Sequence, residues 1–301
     1  MKVGCRSAIC VMGISIFQFI FLHVCMKMLG FHAGVNEVQD CIDILSDYGF
    51  RPCVQIFVTG PQSYKEIKLD KPRLKKIAKN NGLVIHGAYP DNPWGCDHRI
   101  RAIKNIRKEM KIAEEIGASG VIVHLGPGIN DDNVLREVLA GMVTSVTLWL
   151  EINATKPEKA FETPGKIRKL YDRINNINKT FARPANIGIC IDTAHLHSCG
   201  VPLYTYDNAM TWLGALPDYK YMLHLNDSHS EFGSGQDRHA ALCQGNIWGE
   251  FGPGKLPVEE SGLAAFCIWA EKYSEMTILE RKTEYIPADL HLLHSMGVFI
   301  A

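Results

Sequence analysis

Ile189-Cys190-Ile191-Asp192-Thr193-Ala194-His195 decides the fold of this chain: an apolar run stops at a carboxylate, and an imidazole follows three residues later. The first half of that pattern recurs along the sequence. Leu83-Val84-Ile85 precedes His86, Val121-Ile122-Val123 precedes His124, and Leu148-Trp149-Leu150 precedes Glu151. Tyr221-Met222-Leu223 precedes His224, and Thr277-Ile278-Leu279 precedes Glu280. Short apolar runs of this kind read as strands buried on both faces, as in a parallel sheet. Their spacing is that of strand-helix units, so each repeat delivers one polar residue to a common point. A metal site at the C-terminal mouth of a (β/α)8 barrel is built in this way.

The rest of the chain fits that reading. Strands are expected near 27–32, 53–58, 83–86, 120–124, 146–152, 186–192, 220–225 and 276–280, with helical periodicity clearest at 36–48, 98–116, 163–177 and 259–273. Such alternation predicts an α/β protein, and eight repeats predict closure into a single TIM barrel. The stretch 226–257 is too long for an ordinary barrel loop and is rich in glycine, which marks it as functional.

Two further pieces add to the candidate site. His195 stands three residues after Asp192, and Asp237-Arg238-His239 lies in the long loop. His86, His124, Glu151, Asp192, His195, His224, Asp237, His239 and Glu280 together offer nitrogen and oxygen donors without a thiolate. That donor set suits zinc and, less selectively, manganese or iron. It exceeds the needs of one ion and, with one bridging carboxylate, would serve three. A single buried histidine is more often a hydrogen-bonded core residue than a ligand, and His23, His32, His98, His197, His229, His291 and His294 are not assigned to metal. The joint order and strand-end placement of the nine set them apart.

Cys190-Ile191-Asp192-Thr193-Ala194-His195, His224-Leu225-Asn226-Asp227-Ser228, and Gly235-Gln236-Asp237-Arg238-His239 followed by Gly245-Asn246-Ile247 resemble the motifs of the endonuclease IV family of apurinic/apyrimidinic (AP) endonucleases. The resemblance runs from about Leu29 to the C-terminus and leans towards the branch carried by large DNA viruses. It implies a trinuclear zinc centre: His86, His124 and bridging Glu151 on one ion, Glu151, Asp192, His224 and Glu280 on the second, and His195, Asp237 and His239 on the third. It implies catalysis by Glu151 with a metal-bridging hydroxide, cutting double-stranded DNA 5′ to abasic sites and clearing 3′ blocking groups in base excision repair. Tyr89 matches the position from which the family inserts an aromatic into the DNA stack, Arg238 is the other expected DNA contact, and His32 resembles a first-strand position behind the ligands. A monomer is expected. Departures lie beside the ligands: Asn153-Ala154-Thr155-Lys156-Pro157 replaces a Gly-Gln-Gly loop, His229 stands for Lys, Ala240 for His, and Arg281-Lys282 for Thr-Pro.

Apolar residues make up 47% of the 301 and charged residues 21%, which excludes a disordered chain or a multi-span membrane protein. Lysine and arginine total 32 against 32 aspartate and glutamate. That neutrality is unlike a nonspecific nucleic-acid binder, although a repair enzyme needs only local phosphate contacts. The densest basic run, 99–108, reads first as the solvated face of an outer helix, with Arg101, Lys104, Lys108 and Lys111 together, and second as a backbone contact. Ten cysteines without a C-x-x-C pair indicate a reduced, intracellular protein, and the resemblance implies cytoplasm or nucleus or association with a virus.

Residues 1–26 are read as a hydrophobic leader and 27–301 as the barrel. Within the leader, 8–25 lacks Asp, Glu, Lys and Arg and follows Lys2 and Arg6, which reaches the lower length of a membrane span and has the charge order of a signal peptide. Three fates stay open: absence from a working protein that starts at Met26 or Met28, an anchor or signal, or a packed extension of the barrel. Two other functions compete with the nuclease. A xylose isomerase-like sugar isomerase or epimerase would use one divalent ion and has no need of His195 and Asp237-Arg238-His239, and a DNA-binding or virion structural protein would tolerate loss of ligands.

Overall fold

The computed structural model describes residues 24–300 apart from 91, 96 and 252–254. Eight parallel strands close into a barrel in sequence order: β1 (Leu29–His32), β2 (Pro52–Ile56), β3 (Gly82–His86), β4 (Gly120–His124), β5 (Thr147–Glu151), β6 (Asn186–Asp192), β7 (Tyr221–His224) and β8 (Ser274–Leu279), with β8 pairing back to β1. The helices α1 (Val38–Asp47), α2 (Lys71–Asn80), α3 (Arg99–Ile116), α4 (Asp132–Leu139), α5 (Pro164–Asn178), α6 (Thr193–Ser198), α7 (Tyr206–Gly214), α8 (Gly262–Tyr273) and α9 (Ile286–Ser295) connect them. Their starts follow local chemistry. Thr163 accepts from the Lys166 amide ahead of Pro164 in α5, and Ser261 accepts from the Ala264 amide in α8.

Two apolar layers result. One lies between strands and helices, and the other fills the barrel with Cys53, Val84, Ile122, Trp149, Cys190, Met222, Met276 and Ile278. Trp149 is the largest of these, and its indole needs room. Gly188, paired with it across β5 and β6, supplies that room: a Cβ there would lie 2.4 Å from the indole ring. Gly30 lets β1 approach β2 in a similar way, because a Cβ would meet the Cys53 carbonyl oxygen at 1.8 Å.

Residues 24–26, grouped by sequence with the leader, form a short strand that pairs in parallel with Val298–Ile300. Val24 and Met26 are buried, and the Cys25 amide donates to Glu271 Oε1 at the end of α8. This strand pair lies at the N-terminal end of the barrel, so the fold begins before the expected boundary at residue 27. The remainder of the leader, 1–23, lies outside the described residues. Among the described residues no helix is long and apolar enough to cross a membrane. On α3, Arg101 and Lys104 are exposed, Arg101 lies 4.3 Å over the Tyr64 ring, Lys108 pairs with Glu66, and Arg107 donates to the Ala140 carbonyl. The basic run is thus an outer helix face with local partners.

Candidate metal centre

The barrel strands bring polar residues to the C-terminal end: His32, His86, His124, Glu151, Asp192 and His224 finish β1 and β3 to β7, Gln55 is the penultimate residue of β2, and Glu280 directly follows β8. The apolar core stops there, and the side chains converge. Glu151 is fully buried at the centre. Its Oε2 lies 3.1 Å from His124 Nε2 and 3.4 Å from His86 Nε2, while its Oε1 lies 3.0 Å from His224 Nδ1. Burial alone would raise the Glu151 carboxyl, but the His124 and His224 imidazoles overcome it and hold the group well below the usual carboxylate range.

His224 Nδ1 also lies 2.9 Å from Glu280 Oε2 and 3.7 Å from Asp192 Oδ2. Asp192 caps α6 by accepting the His195 amide at 2.9 Å, so one turn fixes both donors. His195 Nε2 then lies 3.4 Å from Asp237 Oδ2, and His239 Nε2 lies 3.0 Å from Asp237 Oδ1 and 3.5 Å from Asp192 Oδ2. Burial would lower His239, yet Asp192 and Asp237 carry it up to about 9.

The long loop reaches the site through a two-stranded ribbon in which His239-Ala240 pairs with Asp227-Ser228. Asp227 accepts the amides of Ser228, Gly245 and Ile247 and so knots the loop. Arg281, one of the departures from the family pattern, is buried rather than presented to a ligand. It pairs with Asp289 at 2.6 Å and donates to the Leu225 carbonyl at 2.6 Å and to Asn226 Oδ1 at 3.1 Å. Asn226 in turn donates to Asp192 Oδ2 at 2.6 Å. Arg281 therefore buttresses the loop behind the site.

Several features fit metal ions. Ligand atoms within 4.8 Å of one another form the groups His86/His124/Glu151, Glu151/Asp192/His224/Glu280 and Asp192/His195/His239. Glu151 belongs to two of these and Asp192 to two, with Asp237 beside the last. Buried Glu151 Oε2, His195 Nε2 and His239 Nε2 have no hydrogen-bond partner, a costly arrangement unless a cation meets them. On the far side of each ring the other nitrogen is engaged: His86 Nδ1 with the Gly87 carbonyl at 2.7 Å, His195 Nδ1 with the Ile152 carbonyl at 2.8 Å, and His239 Nδ1 with the Glu280 carbonyl at 3.0 Å. Metal-binding histidines are oriented in this way, with the inward nitrogen left as an acceptor.

All nine sequence-predicted donors thus meet at one end of the barrel. Tyr89 stands half-exposed at the rim, its ring centroid 5.6 Å from His86 and 5.9 Å from His124, beside a cavity of about 210 Å³ that reaches Asn153 and Phe161. Arg238 is exposed on the loop, where its carbonyl accepts the His229 amide. His32 sits behind the donors, its Nδ1 2.9 Å from Gln55 Nε2, and burial pushes it down to about 4. Sequence reasoning passed over Gln55. The Cys190 thiol forms a further group with Glu151 and His224, but burial pushes it far up and keeps it protonated.

The family model described as a xylose isomerase-like TIM barrel matches residues 42–252. A protein of African swine fever virus named "Probable AP endonuclease" is 34% identical over 264 residues, 82% of this chain and 84% of that one. One of Mycobacterium tuberculosis named "Probable endonuclease 4" is 32% identical over 203 residues, 64% of this chain and 76% of that one. Among solved structures, the crystal structure of AsfvAP:AG superposes with a TM-score of 0.78 at 28% identity, covering 91% of this chain and 99% of that chain. Endonuclease IV from Thermus thermophilus superposes at 0.65 with 23% identity, covering 89% and 98%, a likeness of fold.

Proposed function

We propose a function on one premise: this chain belongs to the endonuclease IV family of AP endonucleases, within the xylose isomerase-like TIM barrels. It is a DNA repair nuclease that hydrolyses the phosphodiester 5′ to an abasic site and also clears blocked 3′ ends, using three zinc ions. His86, His124 and Glu151 would hold the first, Glu151, Asp192, His224 and Glu280 the second, and His195, Asp237 and His239 the third. When bound, such ions neutralise the attacked phosphate and the leaving oxygen and lower the pKa of a water.

The protein's own part is positioning. Glu151 spans two donor groups with its two oxygens and so fixes their separation. Asp192 and His195, locked on one helical turn, and the ribbon carrying Asp237 and His239 complete the far side. The donors are recessed in the barrel mouth, so the target nucleotide must leave the helix, and a missing base makes that extrusion less costly. The cavity beside His124 gives the extruded residue a place, and Tyr89 at its rim offers an aromatic face to the strand left behind.

The single observation that carries the reading is the sharing of Glu151 between His86/His124 and Asp192/His224/Glu280. A single-metal isomerase would leave His86, His124, His195 and His239 without a task. The test is incision of a duplex bearing a stable abasic analogue, before and after prolonged chelation, with elemental analysis of chelator-free protein. Two to three ions per chain and chelation-sensitive 5′ incision are expected. One ion or fewer, with no incision, would replace this reading by the isomerase one.

A further inference from the structure

Gln55 lies near the end of β2, fully buried, where the neighbouring strand positions are apolar. An amide in that setting is costly unless each of its groups is satisfied. Here all are. Its Nε2 donates to Glu280 Oε1 and lies 2.9 Å from His32 Nδ1, and its Oε1 lies 3.0 Å from His224 Nε2.

Chemistry orients this amide. The NH2 group donates to the Glu280 carboxylate, so the carbonyl faces His224. A carbonyl only accepts, so His224 Nε2 must carry hydrogen. With hydrogen fixed on Nε2, Nδ1 is the atom the neutral ring would offer to a cation, and it lies 3.0 Å from Glu151 Oε1 and 2.9 Å from Glu280 Oε2. The second hydrogen of the NH2 group goes to His32 Nδ1, which makes His32 the stop that keeps the amide from turning over.

We propose that Gln55 is a positioning residue for the donor group Glu151/Asp192/His224/Glu280: one rigid amide selects the Nε2–H form of His224 and holds the Glu280 carboxylate, so that both aim at the point they share with Glu151. The inference rests on the metal reading of that group. Gln55 is buried behind the donors, and it acts through His224 and Glu280.

Two variants of the full-length chain separate the halves of this role. Gln55→Met keeps length and volume but can neither accept nor donate. Gln55→Glu still accepts from His224 Nε2 but repels Glu280. Zinc affinity is measured by competition with a chromophoric chelator, the His224 tautomer by long-range proton–nitrogen NMR of the zinc-loaded protein, and incision by kcat and KM separately. Wild type should take up zinc with His224 in the Nε2–H form. Gln55→Met should bind its weakest zinc about 10- to 100-fold less tightly, as for other outer hydrogen-bond partners of metal ligands. It should also lose the uniform tautomer and lower kcat without changing KM. Gln55→Glu should loosen zinc while the tautomer stays. Gln55→Met with wild-type zinc affinity and an unchanged His224 pattern would overturn the proposal. Should Gln55→Met fail to fold, wild-type zinc affinity in Gln55→Glu would do the same. A wild-type chain that binds no zinc would instead overturn the metal reading itself, and with it the reason for the amide.

Discussion

The two ends of the barrel are made from the same eight strands and carry opposite chemistry. At the N-terminal end, Val24 and Met26 pair with the strand 298–300 and pack on α8, an apolar closure with backbone hydrogen bonds at its edges. At the C-terminal end, buried carboxylates and imidazoles crowd together at 3 to 4 Å, and several atoms lack hydrogen-bond partners. One end gains free energy from burial, while the other gathers ionisable donors, some of whose buried atoms have no hydrogen-bond partner. Stability and function are thus divided along the barrel axis, with an apolar layer between them, as is general for this architecture.

Changes at the two ends should therefore separate activity from stability. The largest effect is expected for Glu151→Gln, which keeps shape but removes charge from the residue shared by two donor groups. Incision should fall by more than about 100-fold, beyond the range for outer partners of metal ligands, while circular dichroism stays that of a folded barrel. Near-normal turnover by the folded variant would break the division. At the other end, a chain starting at Met28 loses Val24 and Met26, each contributing about 1.5–3 kcal/mol of burial. Its unfolding free energy, read by denaturant titration, should drop by that sum at most, compared with a chain beginning at residue 24, while incision per folded molecule is unchanged. Equal stability of the two chains would show that the short strand closes nothing.

Smaller effects sharpen the picture at the rim. Tyr89→Ala should weaken binding of abasic duplex by about 1–3 kcal/mol, the range for an aromatic stacked on a base, with zinc content unaltered. Fluorescence anisotropy and elemental analysis read the two quantities, and a loss of zinc would mean that the ring supports His86 rather than DNA. The smallest change is expected for Lys104→Ala on the exposed face of α3, within about 0.5 kcal/mol in stability and without effect on DNA affinity. A clear loss of affinity would restore the backbone-contact reading of that helix.

Much of this division was legible in the sequence. Runs such as Val121-Ile122-Val123 before His124 announce both a buried strand and its functional end, and the strands expected at 120–124 and 186–192 match β4 and β6. The helices expected at 98–116 and 163–177 match α3 and α5 to within a residue. What escaped depends on closure rather than local pattern. Gln55 interrupts an apolar strand with no motif around it, and its partners His224 and Glu280 lie far along the chain and meet it only across the closed mouth. Arg281 likewise reads as a surface departure until Asp289 of α9 and the carbonyl of Leu225 surround it. The strand at 24–26 could not be told from a leader because three apolar residues acquire their meaning from Val298–Ile300 at the opposite end of the sequence.

Trp149 and Glu151 occupy alternate positions of β5 and so point the same way, one into the barrel and the other into its mouth. The indole rests in the space left by Gly188 on the next strand. In mechanical terms Gly188 is a bearing seat: it leaves the room that the Trp149 indole takes up, one layer below the carboxylate two residues along. The floor beneath the residue shared by two donor groups thus rests on a position with no side chain of its own, where even a methyl group would meet the indole.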